Sequence, residues 1–198
     1  MAIYIKNGCF ESWDSGAVPT DWTPTVTEEV GETSFIQREG SAGLTADMGG
    51  FHSSTRAVDL AIDELGTPIS LEQSFAIDLA KPTWHFYFWQ RLGFDDPTLQ
   101  ALAGHKAQYK IKANGSNNWL GADGLWKGVE TWIEFTPILE HRRVSLRFLP
   151  YSTETTYVVT FHTGTLAGVV DEEPEPAEVR YEHLYLDNVH CEPYDQYQ

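Results

Sequence analysis

Between Thr83 and Arg91 the side chains alternate without a break. Trp84, Phe86 and Phe88 fall on one side of an extended backbone, and His85, Tyr87, Trp89 and Arg91 on the other. Successive side chains of a strand point to opposite faces, whereas a helix would scatter these residues around its axis. A segment this polarised needs a sheet with one face buried. Segments of the same period recur at 2–6, 33–38, 56–62, 69–77, 105–113, 131–137, 143–149, 157–162 and 182–190, separated by Gly, Pro, Asn and Asp. So many short strands predict an all-β fold, a two-sheet antiparallel sandwich with at most one or two short helices in loops. The best helical signal is Asp96-Pro97 followed by 98–102, with Asp as N-cap and Pro at the first helical position.

A length of 198 residues suits a single domain over 1–198, and the acidic, proline-punctuated stretch 171–178 reads as an exposed loop within it. With 13 Lys+Arg against 29 Asp+Glu the formal charge is −16. Such a chain is not built to displace counterions from nucleic acid or to adsorb to anionic lipid. No apolar run is long enough to cross a membrane. The start, Met-Ala-Ile-Tyr-Ile-Lys, shows neither the charged nor the apolar region of a signal peptide. Cys9 and Cys191 are too few for a disulfide framework or a zinc site, and two free, mostly buried thiols are expected.

The aromatic strand splits into two chemistries. Trp84, Phe86 and Phe88 are core residues; His85, Tyr87, Trp89 and Arg91 combine ring faces with hydrogen-bonding groups, as a sugar site requires. Lys110 and Lys112 on the next long strand, with Arg143, Ser145 and Arg147 on a later one, would extend this into a basic stripe on one sheet face. The alternative is that Tyr87 and Trp89 pack under a loop while the cations are merely solvated. Trp119 and Trp126 bracket a glycine-rich loop, where they either cover a core edge or meet a ligand. Catalysis finds little support. The adjacent acids Asp95-Asp96, Glu28-Glu29 and Glu172-Glu173 lie in loop-like surroundings, and no nucleophile elbow, metal-spaced His or Cys pair, or phosphate-binding fingerprint is present.

The opening Asn7-Gly8-Cys9-Phe10-Glu11-Ser12-Trp13, the Pro19-Thr20-Asp21-Trp22 that follows and the closing Asp187-Asn188-Val189 resemble the galactose-binding-like jelly rolls among carbohydrate-binding modules. Similar domains occur in bacteriophage decoration and tail proteins. Intermediate landmarks agree in order: Ile69-Ser70-Leu71-Glu72-Gln73, Trp84-His85-Phe86-Tyr87-Phe88-Trp89, then the segments 132–135 and 144–148. The resemblance implies a jelly-roll sandwich whose first and last strands lie side by side. It also implies that Glu11 and Asp187 help hold a structural calcium ion, the alternative being that they cap turns. An antiparallel ladder pairing Glu11 with Asp187 would set Cys9 opposite Val189 and one diagonal from Cys191.

The expected function is therefore a non-catalytic carbohydrate-binding or adhesion module on a virion surface, as capsid decoration or tail component, reaching the outside by lysis. Its partners would be a glycan or cell-surface polysaccharide and other virion proteins, with neither nucleic acid nor membrane. An accessory module of a secreted polysaccharide-degrading enzyme and a purely structural capsid cement are the alternatives. The expected ligand set is His85, Tyr87, Trp89, Arg91, Lys110, Lys112, Trp119, Trp126 and Arg147.

Overall fold

A computed structural model describes residues 4–15, 18–26, 35–39, 57–63, 68–94, 105–136, 141–165 and 181–194. In chain order the strands are β1 (Trp13–Ser15), β2 (Val18–Pro19), β3 (Thr23–Val26), β4 (Phe35–Glu39), β5 (Ala57–Asp63), β6 (Ile69–Ala76) and β7 (Trp84–Phe94). They continue as β8 (His105–Ala113), β9 (Asn118–Leu120), β10 (Trp126–Lys127), β11 (Ile133–Phe135), β12 (Arg142–Phe148), β13 (Thr156–Thr165) and β14 (Tyr181–Pro193). One sheet runs β12-β7-β14-β5-β4; the other runs β10-β9-β8-β13-β6-β3, with β11 also paired to β8. All pairings are antiparallel. The chain is an all-β sandwich, and no helix occurs among the described residues.

The period-two pattern decides which residues fill the space between the sheets. From the first sheet come Trp84, Phe86 and Phe88 of β7, Leu184 and Leu186 of β14, and Val58 and Leu60 of β5, all buried. Tyr109 and Ile111 of β8, Tyr157, Val159 and Phe161 of β13, and Ile69 and Leu71 of β6 meet them from the second. Phe88 stands edge-on to Phe161 at 4.9 Å, and Phe86 lies 5.5 Å from Tyr109. Each such side chain contributes about 1.5–3 kcal/mol by leaving water. The alternation continues through Gln90, 1% exposed, whose amide atoms find no hydrogen-bond partner among the described residues. An unpaired buried amide costs about 1–3 kcal/mol.

The two ends of the chain meet, though not as a ladder. β14 is flanked by β5 and β7 and not by an N-terminal strand. Beyond Leu186 its β5 partner ends, and the segment around Gly8 takes that side: Val189 N–H donates to the Gly8 carbonyl at 2.9 Å. A Cβ at Gly8 would collide with the Val189 carbonyl oxygen, which is why the opening motif carries glycine there. Residues 4–6 of the expected strand 2–6 are not strand, and the rest of it lies outside the described residues. The Gln73 side chain stands in for a neighbouring strand. Its Oε1 accepts from Lys6 N–H and its Nε2 donates to the Lys6 carbonyl, each at 2.9 Å.

Asn7, with φ of 47°, organises the turn that follows. Its Nδ2 donates to the carbonyls of Ser12 and Thr20, and its Oδ1 accepts from Ser12 N–H. Trp22 is buried and donates its Nε1–H to the Asn7 carbonyl. The expected helix at 96–102 and the acidic stretch 171–178 lie outside the described residues.

Candidate functional site

The outer surface of β12, β7 and β14 is built in cross-strand rows. Arg147 of β12, His85 of β7 and Glu192 of β14 form one; Ser145, Tyr87 and His190 the next; Arg143, Trp89 and Asp187 a third. Side chains opposite one another on neighbouring strands share a face about 4.5–5.5 Å apart, so the rows are contiguous. A bulge between Asp187 and His190 inserts one extra residue, with Asn188 at a φ of 50°. It keeps both Asp187 and His190 on the outer face, while Val189 and Cys191 turn into the core.

The rings in these rows interlock. Tyr87 stacks on His190 at 5.2 Å with an interplanar angle of 20°, and His85 lies 5.0 Å from Tyr87. The Arg143 guanidinium sits 5.0 Å over Tyr87, and that of Arg147 3.9 Å over Tyr194, just beyond β14. Burial together with the neighbouring Glu192 carboxylate, which also hydrogen-bonds to it, pushes the Tyr87 phenol up to about 12. His85 is pushed below its usual range by burial and then by Arg143, so its ring stays neutral and offers a donor and an acceptor. Trp89 and Arg91 are half-buried on the same face.

The remaining expected ligands lie elsewhere. Lys110 and Lys112 belong to β8, which pairs with β9, β11 and β13 in the other sheet and never with β7. The single basic stripe does not form, because β7 and β8 belong to different sheets. On that opposite face Lys110 pairs with Glu130 at 2.6 Å and lies 4.2 Å over Trp132; Lys112 lies 5.5 Å over Trp119. Trp119 is therefore on a strand and not in a loop. Trp126, on β10, covers a core edge. It lies 5.4 Å from Tyr157 and 6.0 Å from Phe148, and its Nε1–H donates to the Leu149 carbonyl at 2.8 Å.

His190, Glu192, Tyr194 and Arg143 complete the face but were absent from the expected set. The rings of His190 and Tyr194 come from the far end of β14, and only the register of a central strand brings them beside β7. Arg143 shares the outward period of Arg147 along β12, and that signal was readable.

Glu11 and Asp187 both act electrostatically on Cys9. Burial, then the charges of Asp187 and Glu11, push its thiol up to about 11. Asp187 is 3% exposed and accepts from the Asn188 backbone N–H at 2.6 Å and from its Nδ2 at 2.9 Å. The Cys9 thiol donates to Asn188 Oδ1 at 3.1 Å. Two carboxylates are hard oxygen donors of the kind calcium takes. Among the described residues no three of His, Cys, Asp and Glu gather as a metal cluster. Further ligands to such an ion would have to be carbonyls or water. Neither cysteine is in a disulfide.

Fold and face together define an antiparallel sandwich with an open aromatic surface on one sheet. Among solved structures, the fold resembles TmCBM61, determined in complex with β-1,4-galactotriose. The TM-score is 0.56 at 16% identity, over 96% of this chain and 98% of that one. It equally resembles the enzymatically active domain of bacteriophage CBA120 tailspike protein 4, with a TM-score of 0.56 at 11% identity, over 95% of this chain but 21% of that one. At these identities the likeness is one of fold. No family model matches the sequence, and no curated protein matches it either.

Proposed function

We propose that this chain is a non-catalytic carbohydrate-binding module whose saccharide lies across the rows of β12, β7 and β14. The observation that carries the reading is the outward array of Tyr87, Trp89, His85 and His190. Ring faces take the C–H faces of sugars, and the imidazole, hydroxyl and guanidinium groups between them serve the hydroxyls. The fold shared with a galactotriose-binding protein supports it. The described acids of this face, Glu192 and Asp187, already hydrogen-bond to Tyr87 and Asn188.

The proposed setting is the surface of a bacteriophage particle, as capsid decoration or tail component; the fold likeness to a tailspike domain supports it. An accessory module of a polysaccharide-degrading enzyme would use the same face, and the likeness to TmCBM61 favours that second setting. A structural calcium ion held by Glu11 and Asp187 belongs to the same proposal. It would offset the negative charge that Asp187 and Glu11 impose on the Cys9 thiol. Adding EDTA is expected to lower the melting temperature, and an unchanged melt removes the ion. A glycan array tests the main reading: binding to at least one saccharide, lost in Trp89→Ala and Tyr87→Ala with the melt unchanged, supports it. The absence of any bound sugar would leave a structural role alone.

A further inference from the structure

We infer that the saccharide taken by this face is acidic, a polysaccharide bearing carboxylates that meet the guanidinium groups of Arg143 and Arg147. The inference rests on the reading just given and narrows it to a ligand class. On a chain of formal charge −16, several cations are absorbed by nearby acids. Lys110 pairs with Glu130, Lys127 with Asp123 at 2.7 Å and Lys6 with Asp21 at 3.5 Å. Arg143 and Arg147 are exposed and have no ion-pair partner among the described residues. Each is held over a tyrosine ring, which fixes its position without using its N–H donors on an acid.

A guanidinium already positioned in this way loses less freedom on binding, and its fork matches a carboxylate with two parallel hydrogen bonds. The two arginines are four residues apart on β12, about 13 Å along the strand, so they address separate charges on an extended chain and not one group. Among the described residues β12 is also the edge of its sheet. The acids of the patch lie on the opposite flank. Glu192 is on β14 and is engaged with the Tyr87 hydroxyl, so the face grades from cationic at β12 to mixed at β14. A neutral glycan would use the rings and leave both guanidinium groups without a counter-charge.

The test is an array carrying neutral saccharides beside uronate-bearing ones (polygalacturonate, alginate, hyaluronate), each polyuronate also printed as its methyl ester. Dextran sulfate and duplex DNA serve as polyanion controls. Expected is binding to a uronate polymer at 150 mM salt, weakened at least about tenfold by esterification and by the Arg143→Gln/Arg147→Gln double variant. The variant's melt should stay at the wild-type value, since both side chains are exposed. Binding to neutral glycans alone overturns the inference and leaves the module standing. Equal capture of dextran sulfate and DNA overturns it as non-specific attraction. No binding to any saccharide removes the parent reading and the inference together.

Discussion

The outer faces of the two sheets use nearly the same residue types and reach opposite states. On the seven-stranded side Lys110 is closed by Glu130 and Trp132, the His162 ring lies 5.3 Å from Trp132 with its Nδ1 3.0 Å from Ser70 Oγ, and Thr160 donates to Glu72 at 3.0 Å. These polar groups are answered from within the chain, whereas Lys112 rests on the Trp119 ring. On the five-stranded side Arg143 and Arg147 rest on rings alone, and Tyr87, His85 and His190 present a connected ring surface. Residue types alone do not distinguish a site from a solvated face. What distinguishes them is whether neighbouring strands supply the partners.

The largest expected contrast is in binding. Tyr87→Ala with Trp89→Ala removes the ring surface and should weaken saccharide affinity about a hundredfold or more, roughly 3 kcal/mol. The matched pair Trp119→Ala with Trp132→Ala should leave affinity within about twofold. Equal losses from the two pairs would erase the distinction between the faces.

A smaller effect separates the faces by charge. Burial and Arg143 hold the His85 imidazole below its usual 6.5, and burial and Lys110 do the same to His162. NMR titration should show His85 rising in Arg143→Gln with His162 unmoved, and His162 rising in Lys110→Gln with His85 unmoved. Both groups have folded values below the unfolded one, so the folded state takes up protons less readily than the unfolded chain. Their stabilising contribution is complete above pH 6.5 and is lost as the pH falls through that value toward the lower folded one. A melting temperature that rises on acidification through this window would contradict the sign.

The smallest expected change comes from Glu130→Gln, which releases Lys110. The exposed pair is worth about 0.2–1 kcal/mol, so a melt within 2–3 °C of wild type is expected. If freed cations alone sufficed to capture a uronate polymer, this variant would acquire affinity on the seven-stranded face. Retention of a single binding face shows that a freed cation is not sufficient.

Much of the fold was legible because burial on one side of a sheet imposes a strict period. The span 105–113 coincides with β8, and Trp84, Phe86 and Phe88 are the core residues their alternation implied. β1, β2, β3, β9 and β10 are two to four residues long and too short to display a period, and β3 carries Pro24 at the edge of its sheet. Residues 4–6 gave the pattern of a strand yet are stapled by the Gln73 amide, a substitution of side chain for backbone that no pattern announces. The candidate face was half legible. His85, Tyr87, Trp89, Arg91 and Arg147 were found along single strands, whereas joining Lys110 and Lys112 to them assumed that consecutive long strands pair. They pair often, and here they do not.

Tyr4 packs its ring edge-on against Trp84 at 4.7 Å, and Tyr194 N–H donates to the Thr83 carbonyl at 2.9 Å. Both extremities of the described chain thus surface at one corner, beside the row that begins with Arg147. A fluorescent label at Tyr4 or at Tyr194 would therefore report on the same neighbourhood. A circularly permuted version joined across the corner would need only a short bridge.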